Sequence, residues 1–404
     1  VYKRQPYWRA QQHFDAGHFQ ILRGGRLTTG SGEDVALDAV PEHGGDAYIG
    51  SAIADWDQFA QATVAHNCIT VFDPMRMQQR YGRPWPAHGN QRIVERSYRL
   101  GDPPIDETDR VTGRLIAFET NSFYTYAAAD LSLAYPIDFV RSYTRHFLLL
   151  NRGVLFVCDR VVPVRPRTRV TWHLQLPERP RVGAADPAEG DRLAGTTNAA
   201  GVWEVKEAAS WIDVTEGDGR LYVRTLWPQD AARRLIGGPK KPMTITEGPW
   251  AGRVYFGSDA GGYEHRLLPA TEHNGGPQAW YRLGRPLLLG PQFGLRSNWG
   301  RLDVSSIVQA RETEKVFLHA LVPTDAATAY PPNLEMRATE DEFVVQIALP
   351  GGRCEVTWLR KNLQADGRSA GRVTILDRTT GETTFHNELA TTIAPDKPLP
   401  GERR

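Results

Sequence analysis

The chain has 404 residues, 41% hydrophobic and 24% charged, which is long enough to bury a sizeable core in one large domain or two smaller ones. Its 48 Lys+Arg against 47 Asp+Glu give a formal net charge of +1, without the basic excess usual in nucleic-acid-binding proteins. No run approaches the roughly 18 apolar residues of a membrane-spanning helix, whereas an acidic polymer needs only a local arginine cluster.

The chain opens at Val1, with no initiator Met and no signal peptide, and runs almost directly into Gln11-Gln-His-Phe-Asp-Ala-Gly-His-Phe-Gln-Ile21. We expect an N-terminally incomplete sequence, so a missing targeting signal says nothing about compartment. Read as a strand, residues 11–21 alternate their faces, with His13 and Asp15 on one side and Phe14 on the other. A polar, Gly-rich loop follows, carrying Glu33, Asp34, Asp38, Glu42, His43, Asp46 and Tyr48. Residues 55–62 read as a short helix, and Thr63-Val-Ala-His-Asn-Cys-Ile-Thr-Val-Phe-Asp-Pro74 as a second strand with His66, Cys68 and Thr70 on one face. Two histidine-bearing strands joined by an acidic loop have the donor types of a metal or ligand site, since zinc favours imidazole and carboxylate.

Further along, Arg141, Tyr143 and Arg145 share a face by strand alternation, beside His146. Arginine suits bidentate recognition of carboxylate or sulfate and tyrosine suits a sugar ring, so Arg141 and Arg145 are candidate substrate-binding residues. The alternative is the exposed polar face of a half-buried strand. Runs at 154–158, 169–174, 220–226 and 253–256 are rich in β-branched and aromatic residues, and turn signals such as Gly217-Asp-Gly219 punctuate them. Besides 55–62, only 230–235 reads as helical, and 183–201 and 257–279 read as long rim loops. After Asp325, runs at 342–348, 353–359 and 372–377 predict three or four strands with tight turns, and the last dozen residues are expected to be mobile.

The pattern predicts an all-β fold: a large antiparallel β-sandwich over residues 1–325, with a small C-terminal β-sheet region over 326–404. Cys68, Cys158 and Cys354 are odd in number and far apart, and are expected to be free buried thiols. His173 and His319 lie in apolar strands and read as satisfied core histidines. Asn67 reads as a side chain that satisfies backbone groups.

Asp15-Ala-Gly-His-Phe-Gln-Ile, Gly25-Arg-Leu, Ser31-Gly and Thr63-Val-Ala-His-Asn together resemble the C-terminal β-domain of the heparinase II/III-like polysaccharide lyases. Tyr126-Ala-Ala-Ala-Asp-Leu-Ser-Leu-Ala-Tyr135, Arg145-His-Phe-Leu-Leu-Leu, Val157-Cys-Asp-Arg-Val161, Trp172-His-Leu, Trp299-Gly-Arg-Leu302 and Phe317-Leu-His-Ala-Leu-Val-Pro323 fit the same picture, which spans roughly residues 7–325. The resemblance implies a β-sandwich that, with an N-terminal α/α toroid, cleaves uronic-acid-containing acidic polysaccharide by β-elimination in the periplasm or outside the cell. It implies a structural Zn2+ held by His13 and His66, with Asp15 in support. The carboxylate expected as third ligand is replaced in Gly30-Ser-Gly32, leaving Asp34, Asp38 or Asp46 as substitutes and the third ligand undetermined. Gln11 stands where the family often has histidine, so it can hydrogen-bond a sugar but cannot titrate near neutral pH. Tyr48 is the candidate catalytic residue, holding the sugar or assisting proton transfer; the alternative is a loop tyrosine with a packed ring and a wet hydroxyl. No toroid-like amphipathic helices occur in the chain. The competing function is a non-catalytic carbohydrate-binding β-sandwich, which the departures at Gln11 and Gly30 favour.

Overall fold

A computed structural model of the chain describes residues 15–28, 63–73, 78–80, 83–85, 89, 91, 111–151, 153–183, 196–199, 202–206, 211–237, 243–244, 254–255, 300–349, 352–364, 366–377 and 380–393. Among these the protein is all-β, with short 3-10 turns and no α-helix. Three antiparallel sheets stack in the order six, eight and five strands.

The eight-stranded sheet is the middle layer. Its strands run Arg181–Val182, Ile212–Glu216, Gly219–Trp227, Lys315–Asp325, Val154–Pro163, Val140–Leu150, Tyr124–Asp130 and Arg114–Thr120. Because side chains alternate across a strand, each central strand feeds two cores. On Lys315–Asp325, Phe317 and Leu321 enter the core shared with the six-stranded sheet, where Val170, Trp172 and Leu174 meet them. Leu318, Ala320 and Val322 face the other way, into a core with Phe343, Val345, Val356 and Trp358 of the five-stranded sheet. Burial on both faces explains why this strand reads as a continuous apolar run.

The six-stranded sheet orders Thr196–Ala199, Val202–Val205, Ala232–Gly237, Gly300–Ile307, Arg169–Leu176 and Ile69–Phe72. Two expectations are corrected here. Residues 230–235 are not helical: Ala232–Gly237 is a strand hydrogen-bonded on both sides, to Gly300–Ile307 and Val202–Val205. Pairing on two edges overrides a weak local helix preference. The 183–201 stretch is not all loop, since Thr196–Ala199 pairs with Val202–Val205. Residues 55–62 and 257–279 lie outside the described residues.

The C-terminal sheet has five strands, Leu334–Ala338, Glu342–Leu349, Gly352–Leu359, Gly371–Asp377 and Thr383–Glu388, in simple meander order. It packs as a full third layer. The three cysteines are free and buried, as expected. His173 and His319 are core histidines. His173 hydrogen-bonds Asp303 (2.7 Å) and Thr70 (2.9 Å), and His319 stacks on Trp172 with centroids 3.7 Å apart. Burial lowers the affinity of both imidazoles for a proton, against an opposing pull from Asp303 at His173.

Between the middle and C-terminal sheets, His146 Nδ1 is 2.8 Å from the Tyr126 hydroxyl. Burial pushes its pKa down to about 4, so it is neutral near pH 7. Outside the sheets, the hairpin Ile21–Leu22/Arg26–Thr28 docks on the turn between Ile212–Glu216 and Gly219–Trp227. The approach is so close that a Cβ at Gly219 would lie 1.8 Å from the Arg23 carbonyl oxygen.

Two outcomes follow from this packing. Gly219→Ala should cost about 2–3 kcal/mol and release the 21–28 hairpin, read as lost amide protection there by hydrogen exchange. Folded His146 takes up its proton near pH 4 and an unfolded histidine near 6.5, so in that window the unfolded state binds more protons. Stability should therefore rise with pH across the window, by up to about 3 kcal/mol from this residue. Urea midpoints from pH 4 to 7 check this: the slope should shallow in His146→Gln, with a remainder from His173 and His319, whose shifts have the same sign.

Candidate functional site

The two motif segments meet at one edge of the first core. Asp15–Gln20 is not a strand, as the alternation predicted, but a turn closed by His18 N–H donating to the Asp15 carbonyl (2.8 Å). Gly17 has φ +82, a left-handed conformation that glycine adopts without strain. The second segment also departs from the expected strand. Thr63–Ala65 is a 3-10 turn, His66 N–H donates to the Thr63 carbonyl (3.1 Å), and only Ile69–Phe72 pairs in a sheet. His66, Asn67 and Cys68 are therefore all buried in succession rather than alternately.

Asn67 joins the pieces. Its backbone N–H donates to His18 Nδ1 (3.0 Å), and its side-chain amide donates to the Phe19 carbonyl (2.7 Å) and Thr28 (2.9 Å). Its side-chain oxygen accepts from Gln175 N–H (2.7 Å). The backbone-satisfying role expected for Asn67 is what the structure shows. His18 and His66 lie edge to face, their ring centroids 5.3 Å apart. Gln91 holds the same turn from outside, its amide both accepting from and donating to the Ala16 backbone at 2.8 Å.

Beneath this turn lies a fully buried ion pair, Arg145 with Asp159, on neighbouring strands. Arg145 Nε and Nη2 donate to the two Asp159 oxygens (2.7 and 3.0 Å). Its Nη1 donates to the carbonyls of Gly17 (2.6 Å) and Asn67 (2.7 Å), one in each motif segment. Tyr143 donates to Asp159 as well (3.0 Å). Burial opposes the charge on Arg145, but Asp159 more than offsets it, and the guanidinium stays protonated. Burial raises the neighbouring Cys68 thiol far above the usual range, so it is an inert packing group.

This corrects the expectation that Arg145 binds substrate. Its side chain has 0% exposure, and its guanidinium is engaged inside the fold. Arg141 does not share that environment. A register shift between Val140 and Ser142 makes it the bulged residue, exposed at the start of its strand. Of the other sequence candidates, His66 is buried beside His18, while Gln11, His13 and Tyr48 lie outside the described residues. Among the described residues no group of three or more His, Cys, Asp or Glu is placed to hold a metal ion. Sequence reasoning missed His18, Gln91 and Asp159. A carboxylate inside the apolar run Val154–Pro163 was the available signal for the last, because such a group is buried only when paired.

No protein-family model and no curated protein matches the chain. Solved structures do. A mutant of the heparan sulfate lyase HepC from Pedobacter heparinus is similar at 12% identity and a TM-score of 0.43, covering 87% of this chain and 37% of that one. The heparinase III-BT4657 gene product, with methylated lysines, is similar at 10% identity and 0.41, covering 86% and 36%. The chain spans about a third of the length of these structures.

The ion pair generates a quantitative expectation. Asp159→Asn or Arg145→Met alone should destabilise the protein by about 3–5 kcal/mol, because each strands a buried group. The double variant Arg145→Met/Asp159→Leu should lose less than the sum of the singles. Urea unfolding measures the cycle, and hydrogen exchange at residues 15–19 and 66–68 should show loosening in every variant lacking Arg145.

Proposed function

We propose that this chain is the β-domain part of a polysaccharide lyase acting by β-elimination on a uronic-acid-containing acidic polysaccharide. The observation that carries the reading is that the two sequence segments resembling the lyase family, some 50 residues apart, are built into one unit by Arg145 and Asn67, with His18 and His66 side by side.

In such a reaction the proton on C5 of the uronate leaves, the C4–O4 bond breaks, and a double bond forms between C4 and C5. The chemistry needs a base, an acid for the leaving oxygen, and groups that neutralise the carboxylate as negative charge develops. On this reading Tyr48 and Gln11 face the sugar, and exposed Arg141 offers a fixed positive charge to the polymer. Arg145 takes no part in that contact. It positions the turn from which the histidines are held. The principal catalytic residues belong to an α/α toroid partnering this domain, and the protein works in the periplasm or outside the cell.

A Zn2+ ion belongs to the same reading. The imidazole of His66 suits it chemically, and the other expected donors, His13 and a loop carboxylate from Asp34, Asp38 or Asp46, lie outside the described residues. When bound, the ion would supply structural rigidity to the cleft wall rather than chemistry.

The test uses the protein expressed from its full gene. With uronate polymers it should generate the ultraviolet absorbance of a 4,5-unsaturated product, and stoichiometric zinc should disappear in His13→Ala/His66→Ala. Polymer binding without unsaturated ends would replace the lyase reading with the carbohydrate-binding sandwich that Gln11 and Gly30 favour.

A further inference from the structure

The opposite face of the eight-stranded sheet carries a feature unconnected with the motif. Strand alternation sends Arg145 toward the motif and His146 away from it, and at His146 a cavity of about 280 Å3 opens between the middle and C-terminal sheets. Protein interiors hold few voids larger than a water molecule, and elsewhere this second core is filled by Leu, Val, Phe and Trp. Here the walls are Ala117, Ala128, Ala370 and Ala390, whose small side chains leave the space. The floor is polar, made by buried Tyr126 and His146. His146 is neutral and its Nε2 faces the Leu363 carbonyl (3.4 Å), so its Nδ1 accepts the Tyr126 hydroxyl proton. The tyrosine oxygen keeps a lone pair to receive a hydrogen bond from a ligand.

The mouth is built differently from the floor. Arg114 and Arg368 line it together with Asn362 and Gln364, whose amide nitrogens donate to the Ser369 carbonyl (2.9 Å) and to Asp366 (2.8 Å). Arg368 is held by Asp366 at 2.5 Å. Arg114 is 71% exposed and its carboxylate neighbour Asp130 stands 3.8 Å off, leaving guanidinium N–H groups for a second anion. A hydrogen-bonding floor, alanine walls and a cationic mouth suit a small ring with hydroxyls on one end and a carboxylate on the other, and the volume, just under that of drug-sized ligand pockets, is enough for one such ring.

We propose that this cavity is a binding site for a single uronate sugar unit, with ring hydroxyls toward Tyr126 and the carboxylate toward Arg114. The assignment rests on the cavity itself and holds whether or not the chain cleaves a polymer. The experiment is calorimetric titration of the protein with glucuronate, glucose and acetate, repeated on Arg114→Ser, Tyr126→Phe and Ala128→Leu. Glucuronate should bind about tenfold more tightly than glucose, and Arg114→Ser should erase that preference without changing the far-ultraviolet circular dichroism. Tyr126→Phe should weaken both sugars, and Ala128→Leu, by filling the hollow, should abolish their binding. Should Ala128→Leu fail to fold, the exposed Arg114 variant decides alone. Absence of glucuronate binding, acetate binding as tight as glucuronate, or a sugar preference surviving Arg114→Ser would each overturn the proposal.

Discussion

The buried pair of Arg145 and Asp159 is the constraint on which the site depends. An arginine fully removed from water is tolerated only when its charge is paired and its donors are used, and here four hydrogen bonds use them. Two go to a carboxylate on the neighbouring strand, inside a rigid ladder. The other two reach main-chain carbonyls of segments with little sheet structure of their own. The pair therefore ties the two turns to the central sheet, alongside the hydrogen bonds that Asn67 and Gln91 give them. A Leu–Val pair in its place could stabilise the sheet as well, but it could not fix the carbonyls of Gly17 and Asn67 in one geometry.

The middle position of the eight-stranded sheet makes this possible. Strands buried on both faces have little freedom to slip in register, because a one-residue shift would exchange the two cores. Val140–Leu150 and Val154–Pro163 are such strands, and their cross-strand register sets Arg145 directly opposite Asp159. The six-stranded sheet adds the second support. Gln175 on Arg169–Leu176 donates to the Asn67 side chain through its backbone N–H and to the Val64 carbonyl through its amide. The motif turns are thus braced from both sheets.

The fold was legible because its signal is periodic. Alternation, β-branched runs and turn residues marked the strands from 126 to 226 and from 315 to 377, and the layered all-β architecture followed from them. Residues 230–235 were misread because their helix-like composition is local, while the two pairings that make them a strand come from residues 202–205 and 300–307, remote in sequence or approached through turns. The site was legible in part. The segments around Gly17 and Asn67 do meet in space, but reading them as regular strands assigned faces that turns do not have. Arg145 was misassigned for a related reason. Alternation reports that Tyr143 and Arg145 share a face, not whether that face is wet, and only the partner Asp159 decides it. Gln91 had no local signal, because its role is defined wholly by the Ala16 backbone it meets.

Arg145 and His146 are adjacent in sequence and lie on opposite faces of one sheet, in environments of opposite chemistry. Arg145 keeps its charge because Asp159 shares its burial, whereas burial strips His146 of its charge, helped by the nearby Arg160 cation and only partly opposed by the hydrogen bond to the Leu363 carbonyl. Below about pH 6 buried imidazoles oppose folding on both faces, His146 beside the C-terminal sheet and His173 and His319 in the core shared with the six-stranded sheet. One strand thus builds both environments, a retained charge toward the motif and a suppressed one toward the C-terminal sheet, because alternation hands its neighbours to different layers.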